Sequence, residues 1–159
     1  DLPDDNKEDM PLGIKMEAGD TVGMVGLIKP LAMRISKSVK QLIAFDKGMS
    51  AHNDDSMLSP MEKQPELIPT CDIVILSGTT TINGSIDELL EMCAKAREVI
   101  MVGPSTPMFP EGWRDSRLTV LAGSCWDKEH KDDLFKLISL AAGVRQVEKY
   151  MTKKAVAVR

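Results

Sequence analysis

Apolar residues in this chain come in short unbroken runs, and most runs empty into glycine, hydroxyl or acidic residues. Thr21 to Gly26 predicts a first strand, Leu42 to Phe45 a second with Asp46 directly behind it, and Ile73 to Leu76 a third. Val99 to Val102 predicts a fourth, and Leu118 to Leu121 a fifth that ends at Gly123. The third run is continuous rather than alternating, which suits a strand buried on both faces. Between the runs the apolar positions switch to helical spacing. Pro30 fits the first turn of a helix that carries Leu31, Ile35 and Val39. Ser85 to Ala96 predicts a helix, with Ser85 and Glu88 at capping-box spacing and an apolar face of Ile86, Leu89, Leu90 and Cys93. A last helix is expected from about Glu129 to Ala142, with Leu134, Leu137, Ile138 and Ala141 as its buried stripe and Gly143 as its stop. Residues 47–69, which hold Pro60, Pro65 and Pro69, read as a long connection with a short helix around Ser59 to Leu67. Ala155 to Val158 reads as an edge strand.

Strands alternating with helices predict an α/β fold with right-handed crossovers. The expected architecture is a Rossmann-like three-layer sandwich around a mostly parallel sheet of five to six strands. Residues 1–20 are rich in Asp, Glu, Lys and Pro without periodicity and read as an acidic arm or linker. Residues 21–159 then form one ligand-binding domain.

Charge and cysteine usage narrow the function classes. Net charge is −4 and no basic cluster stands out, which argues against nucleic acid as a partner. No apolar stretch approaches the roughly 20 residues that span a bilayer, and no secretory signal pattern opens the chain. Cys71, Cys93 and Cys125 are scattered without CxxC spacing, against a zinc knuckle or a disulfide framework. A reduced, cytoplasmic setting is the expectation. The first residue is Asp, which suits a processed or excised piece of something longer.

In open parallel sheets ligands collect at the carboxyl ends of the strands, so the polar rims are the candidate sites. Gly78, Thr79, Thr80, Thr81, Asn83 and Gly84 follow the third strand. Such a turn lets backbone approach a ligand, adds donors and acceptors, and precedes a helix amino terminus suited to an oxyanion. The alternative is a tight turn that only caps the helix. Gly103-Pro-Ser-Thr-Pro107 follows the fourth strand, and its two prolines hold Ser105 and Thr106 with little freedom. That loop either lines a site or is a stiff turn. Gly23-Met-Val-Gly26 is not GxGxxG, yet Asp46 stands 20 residues after Gly26, where a ribose-binding acid sits in nucleotide-binding sheets. Asp is equally a common turn residue.

For metals, Cys125 just past Gly123 is a candidate soft ligand, with a buried small hydrophobe as the alternative. His52, Asp54 and Asp55 form a second candidate group in the long connection. There is no nucleophile elbow, no HExxH and no P-loop, so no catalytic set is assigned.

The segments CDIVILSGTTTINGSIDELLEMC, VIMVGPSTPMFPEG and LTVLAGSCWD, with GDTVGMVG upstream, resemble a prokaryotic heavy-metal chelation family, formerly a domain of unknown function. The likeness runs from about Gly19 to Gly143. It implies a Rossmann-like carboxyl-terminal domain, usually preceded by a smaller enolase-like domain, with a pocket between the two that handles heavy metals or metal-bearing small molecules. Carried over, those roles fall on Gly78, Thr79, Thr80, Asn83, Gly103, Ser105 and Thr106. About 20 residues precede the first strand, too few for the enolase-like part, so that half of any composite site is expected to be missing or supplied by another chain.

Three functions are therefore expected, in order. The first is a domain that binds a small molecule or metal complex, with the ligand's oxyanions at the strand ends. The second is an enzyme using a nucleotide or adenosyl cofactor. The third is an interaction module whose rim packs on an enolase-like amino-terminal domain or a partner chain. A homo-oligomer is a separate option for partners. A heavy or transition metal, or its chelate, is the expected cofactor, and no membrane partner is expected.

Overall fold

The computed structural model describes Asp4, residues 10–48 and residues 56–158. The site candidates His52, Asp54 and Asp55 lie outside those residues. Six strands form one sheet in the order β2-β1-β3-β4-β5-β6. They are β1 (Thr21–Val25), β2 (Gln41–Phe45), β3 (Ile73–Ser77), β4 (Glu98–Val102), β5 (Val120–Trp126) and β6 (Met151–Ala157). The first five run parallel, and β6 returns antiparallel along β5. This is the α/β, Rossmann-like architecture that the alternating pattern predicts.

The helices are α1 (Lys29–Ile35), α2 (Gln64–Leu67), α3 (Thr79–Ile82), α4 (Ile86–Met92), α5 (Lys131–Ser139) and α6 (Val144–Val147). Alternate strand residues feed two cores, one on each side of the sheet. Val74, Leu76, Val99 and Met101 meet Ile86, Leu89 and Leu90 of α4 on one side. Ile73, Ile75, Ile100 and Val102 meet Ala32 and Ile35 of α1 on the other. The connection from β4 to β5 keeps to the α4 side, where Met108 and Trp113 pack.

Several elements differ from the sequence expectation. β5 does not stop at Gly123 but runs on to Trp126, because Gly123–Trp126 pair with Lys154–Met151 of β6. The helix expected from Ser85 to Ala96 covers only Ile86–Met92, and its Ser85 hydroxyl donates to Asn83 Oδ1 at 2.8 Å instead of capping the helix. The final helix is α5 alone, preceded by a 3-10 turn at Lys128–His130. Of its expected stripe only Leu134 is buried, while Ile138 is 58% exposed. The chain leaves α5 through Ala141 at φ 58°, so Gly143 is not the stop; it begins α6, its N–H donating to Gln146 Oε1 at 2.7 Å.

The stretch read as an arm or linker lies against the domain from Met10 onward. Ile14 is buried in the α1-side core. Asp20 is buried and takes two hydrogen bonds from the Arg97 guanidinium, at 2.7 and 2.8 Å, and a third from Glu17 N–H at 2.7 Å. Arg97 thereby holds the Asp20 carboxyl below its ordinary value. Among the described residues no helix is long and apolar enough to cross a membrane.

Candidate functional site

The two rims that the sequence singles out meet at the carboxyl edge of the sheet. Gly78 N–H donates to Val102 O at 2.8 Å. A Cβ placed on Gly78 would lie 2.6 Å from Thr106 N and 2.8 Å from the carbonyl carbon of Ser105. No guest fits between the turns, because their backbones touch. They form a partition, with a cleft on each side.

Most hydroxyls of the threonine turn are spent on the turn itself. Thr80 is buried and donates to Ser77 O at 2.8 Å, and Thr81 donates to Gly78 O at 2.7 Å. Thr79 shares a hydrogen bond with the Ser77 hydroxyl at 2.9 Å. These bonds wind α3, a helix the sequence pattern did not reveal. Thr106 is buried, with its hydroxyl directed at Ala122 O. Neither Ser105 nor Thr106 lines a cleft.

On the α4 side, a cleft of about 470 Å³ sits where the strand order reverses between β1 and β3. Gly26, Asp46, Thr79, Thr80 and Asn83 line it, above Phe45, Met61, Leu89 and Met92. In doubly wound sheets this switch point is the usual crevice. Here Asp46 is engaged within its own loops: Oδ2 accepts from Leu27 N–H at 2.8 Å and Oδ1 from Gly48 N–H at 2.9 Å. The carboxylate thus ties the loop after β1 to the loop after β2. Gly26 adopts φ 87°, and a Cβ there would strike Ser77 Cβ at 2.7 Å.

On the α1 side lies a larger cleft of about 690 Å³, well inside the range of small-molecule sites. Its floor is β4 and β5, where small residues (Gly103, Ala122, Gly123, Ser124) stand beside Val102. One wall is α1 with the residue before it: Ile28, Pro30, Leu31 and Arg34. The other wall is Val144, Arg145 and Glu148, with Met151, Lys153, Lys154 and Ala155 of β6 behind them. Among the described lining residues, Arg34, Arg145, Lys153 and Lys154 thus stand with one carboxylate, Glu148, over an apolar floor, and Asp4 Oδ1 accepts from the N–H of Ala155 at 3.1 Å. Lys153 Nζ donates to Glu148 Oε1 at 2.8 Å, which holds the Glu148 carboxyl below its ordinary value.

Of the expected site residues that are described, only Gly103 reaches this cleft. The sequence reading missed its cations because Arg34 and Lys153 lie far apart in the chain, and the β6 return brings their walls onto one floor. The Lys153-Lys154 pair just ahead of the expected edge strand was the available signal, but lysines on edges also simply discourage aggregation.

The sequence profile of the family described as "Putative heavy-metal chelation", DUF364, matches residues 10–157. The chain belongs to the DUF364 family. A DUF364 protein of unknown function from Pyrococcus horikoshii superposes with a TM-score of 0.78 over 99% of this chain and 60% of its own, at 17% identity. Another, from Desulfitobacterium hafniense, gives 0.74 over 88% of this chain and 53% of its own, at 23% identity. An uncharacterized protein of Methanocaldococcus jannaschii is 29% identical over 104 residues, which are 65% of this chain and 39% of that one. This DUF364 chain therefore spans less than two thirds of each of these relatives.

The described residues do not fit a bare heavy-metal ion. Among the described residues no group of three or more His, Cys, Asp or Glu is placed to hold one. Burial pushes the Cys71 thiol up to about 11 and the Cys93 thiol up to about 12, so both stay protonated and are poor ligands. Cys125 is not on a rim loop: it lies within β5, paired with Thr152, and lines neither cleft. His130 is occupied by Asp127, its Nδ1 2.8 Å from Oδ2.

Proposed function

We propose that this DUF364 domain binds an anionic organic small molecule in the cleft between α1 and β6, including a metal already enclosed in a carboxylate chelate. The observation that carries this reading is a charge inversion. The chain has a net charge of −4, yet among its described residues the lining of the larger cleft has four cations against one carboxylate. A bare cation is repelled there, and a carboxylate is attracted. The apolar floor favours a ligand with a carbon body. The ligand lies at the carboxyl edge of the sheet, over β4 and β5 rather than over the threonine turn.

Calorimetry at low salt tests this with 2-naphthoate, nitrilotriacetate, nickel–nitrilotriacetate and free nickel ion. The anions are expected to bind and to weaken as salt screens the lining. Charge reversal in an Arg34→Glu, Arg145→Glu variant should weaken them at least tenfold. If no anion binds, or if the reversal changes nothing, the reading is wrong. A nucleotide or adenosyl cofactor held through Asp46 has weaker support, since both Asp46 oxygens already accept from backbone amides.

A second reading, an interaction module, is favoured by Phe135, Ile138, Leu140 and Val144, which are 49–71% exposed. The greater length of the relatives fits a further domain or partner chain, such as an enolase-like one, and a second copy of this chain is the simplest occupant to test. Sedimentation of the chain and of a Phe135→Glu, Ile138→Glu variant tests for that copy. An oligomer lost in the variant supports it, and a monomer in both excludes it.

A further inference from the structure

We infer that the α1-side cleft is a two-ended clamp whose ligand carries carboxylates, or equivalent oxyanions, at both ends of a flat apolar body. This rests on the proposed anion-binding role and specifies its substrate class. The sheet order carries the argument. α1 follows β1, whereas Lys153 lies on β6, the far edge. β3, β4 and β5 stand between them. Neighbouring strands are about 4.8 Å apart, so the backbones of β1 and β6 are separated by roughly 19 Å.

The cations are divided between the two walls. Arg34 stands on α1, while Arg145, Lys153 and Lys154 stand on the opposite wall. Between them the floor offers Val102 and Ala122, each 8% exposed, and no charge. A single small anion satisfies one wall and leaves the apolar floor wet. A ligand with one central charge places it over carbon, away from both walls. A flat body lying on Val102 and Ala122, with an anion at each end, uses all three surfaces together. The two ends differ in kind. Arg34 offers a planar fork suited to bidentate carboxylate binding. On the other wall Lys153 is held by Glu148, whose carboxylate also feels the charge of Arg145, and Arg145 is the guanidinium of that side.

The test uses the whole chain and two rigid probes, naphthalene-2,6-dicarboxylate and 2-naphthoate, followed by calorimetry and by amide chemical shifts. The dicarboxylate is expected to bind at least 30-fold more tightly than the monocarboxylate. Amides of α1 and β6 should both move with the first probe, and those of β6 alone with the second. Arg34 is exposed, so Arg34→Gln leaves the fold intact. That variant should bring the affinity ratio to within about threefold, weakening the dicarboxylate far more than 2-naphthoate. Arg145→Gln should weaken both probes. Equal affinities in the unmodified chain, or a ratio that survives Arg34→Gln, overturn the clamp and leave the anion-binding role standing. If neither probe binds at millimolar concentration, both fail.

Discussion

Replacing Gly78 by alanine tests the contact on which the two-cleft arrangement rests. Gly78 has φ −56° and ψ −19°, a conformation alanine adopts freely. By backbone preference alone the substitution should stabilise, by about 0.4–1 kcal/mol, through a less flexible unfolded chain. The new methyl, however, would sit 2.6 Å from Thr106 N and 2.8 Å from the Ser105 carbonyl carbon. Both neighbours are backbone, so no rotamer change relieves the overlap. Overpacking of this kind costs about 1–3 kcal/mol. Overpacking wins, and the net loss is about 1–2 kcal/mol. For a chain of this size that lowers Tm by roughly 2–8 °C. Gly19→Ala is the control, because nothing lies within 4 Å of a Cβ there and its φ is not in the left-handed region. It should leave Tm unchanged or slightly raised. Thermal unfolding followed by far-UV circular dichroism measures both. If Gly78→Ala is as stable as Gly19→Ala, the two turns do not touch, and a guest between them becomes possible again.

The remaining predictions concern strain, charge and thiols. Gly26→Ala forces a side chain into φ 87° and against Ser77 Cβ, so it should cost about 3 kcal/mol, visible as a lower denaturant midpoint at constant slope. Asp20→Asn should cost about 2 kcal/mol at pH 7, because it leaves Arg97 without its charged partner. The Asp20 carboxyl is held below its ordinary value of 3.8, so its stabilisation is complete above that value and disappears as pH falls through the lower, folded-state value. Urea midpoints of the two proteins should therefore draw together as pH falls below 3.8, and a gap that does not shrink in acid contradicts the ion pair. In the native chain at pH 8, Ellman's reagent should modify half-buried Cys125 first, while buried Cys71 and Cys93, held protonated, react only on unfolding. Fast modification of all three disproves the packing around them.

What the sequence revealed and what it hid divide along one line, local pattern against long-range pairing. The runs at Ile73–Ser77 and Glu98–Val102 were legible because a strand buried on both faces must be apolar at every position. Asp46 and Gly26 were also placed correctly at strand ends, where composition alone marks the carboxyl edge. The far end of β5 was not legible, since Gly123 reads locally as a stop. What keeps Gly123–Trp126 extended is a partner strand some 30 residues later. The threonine turn misled in the opposite direction. A count of hydroxyls cannot distinguish groups that face a ligand from groups that close a helical turn, and Thr80 and Thr81 do the latter. The basic cleft is the furthest from local pattern. Arg34, Arg145 and Lys153 each look like an ordinary solvated residue in its own segment. They become one lining only because β6 turns back along β5, setting Lys153 opposite Ser124 on the floor that α1 flanks. A charge pattern made by topology leaves no contiguous motif, which is why the rims could be read from the chain and the walls could not.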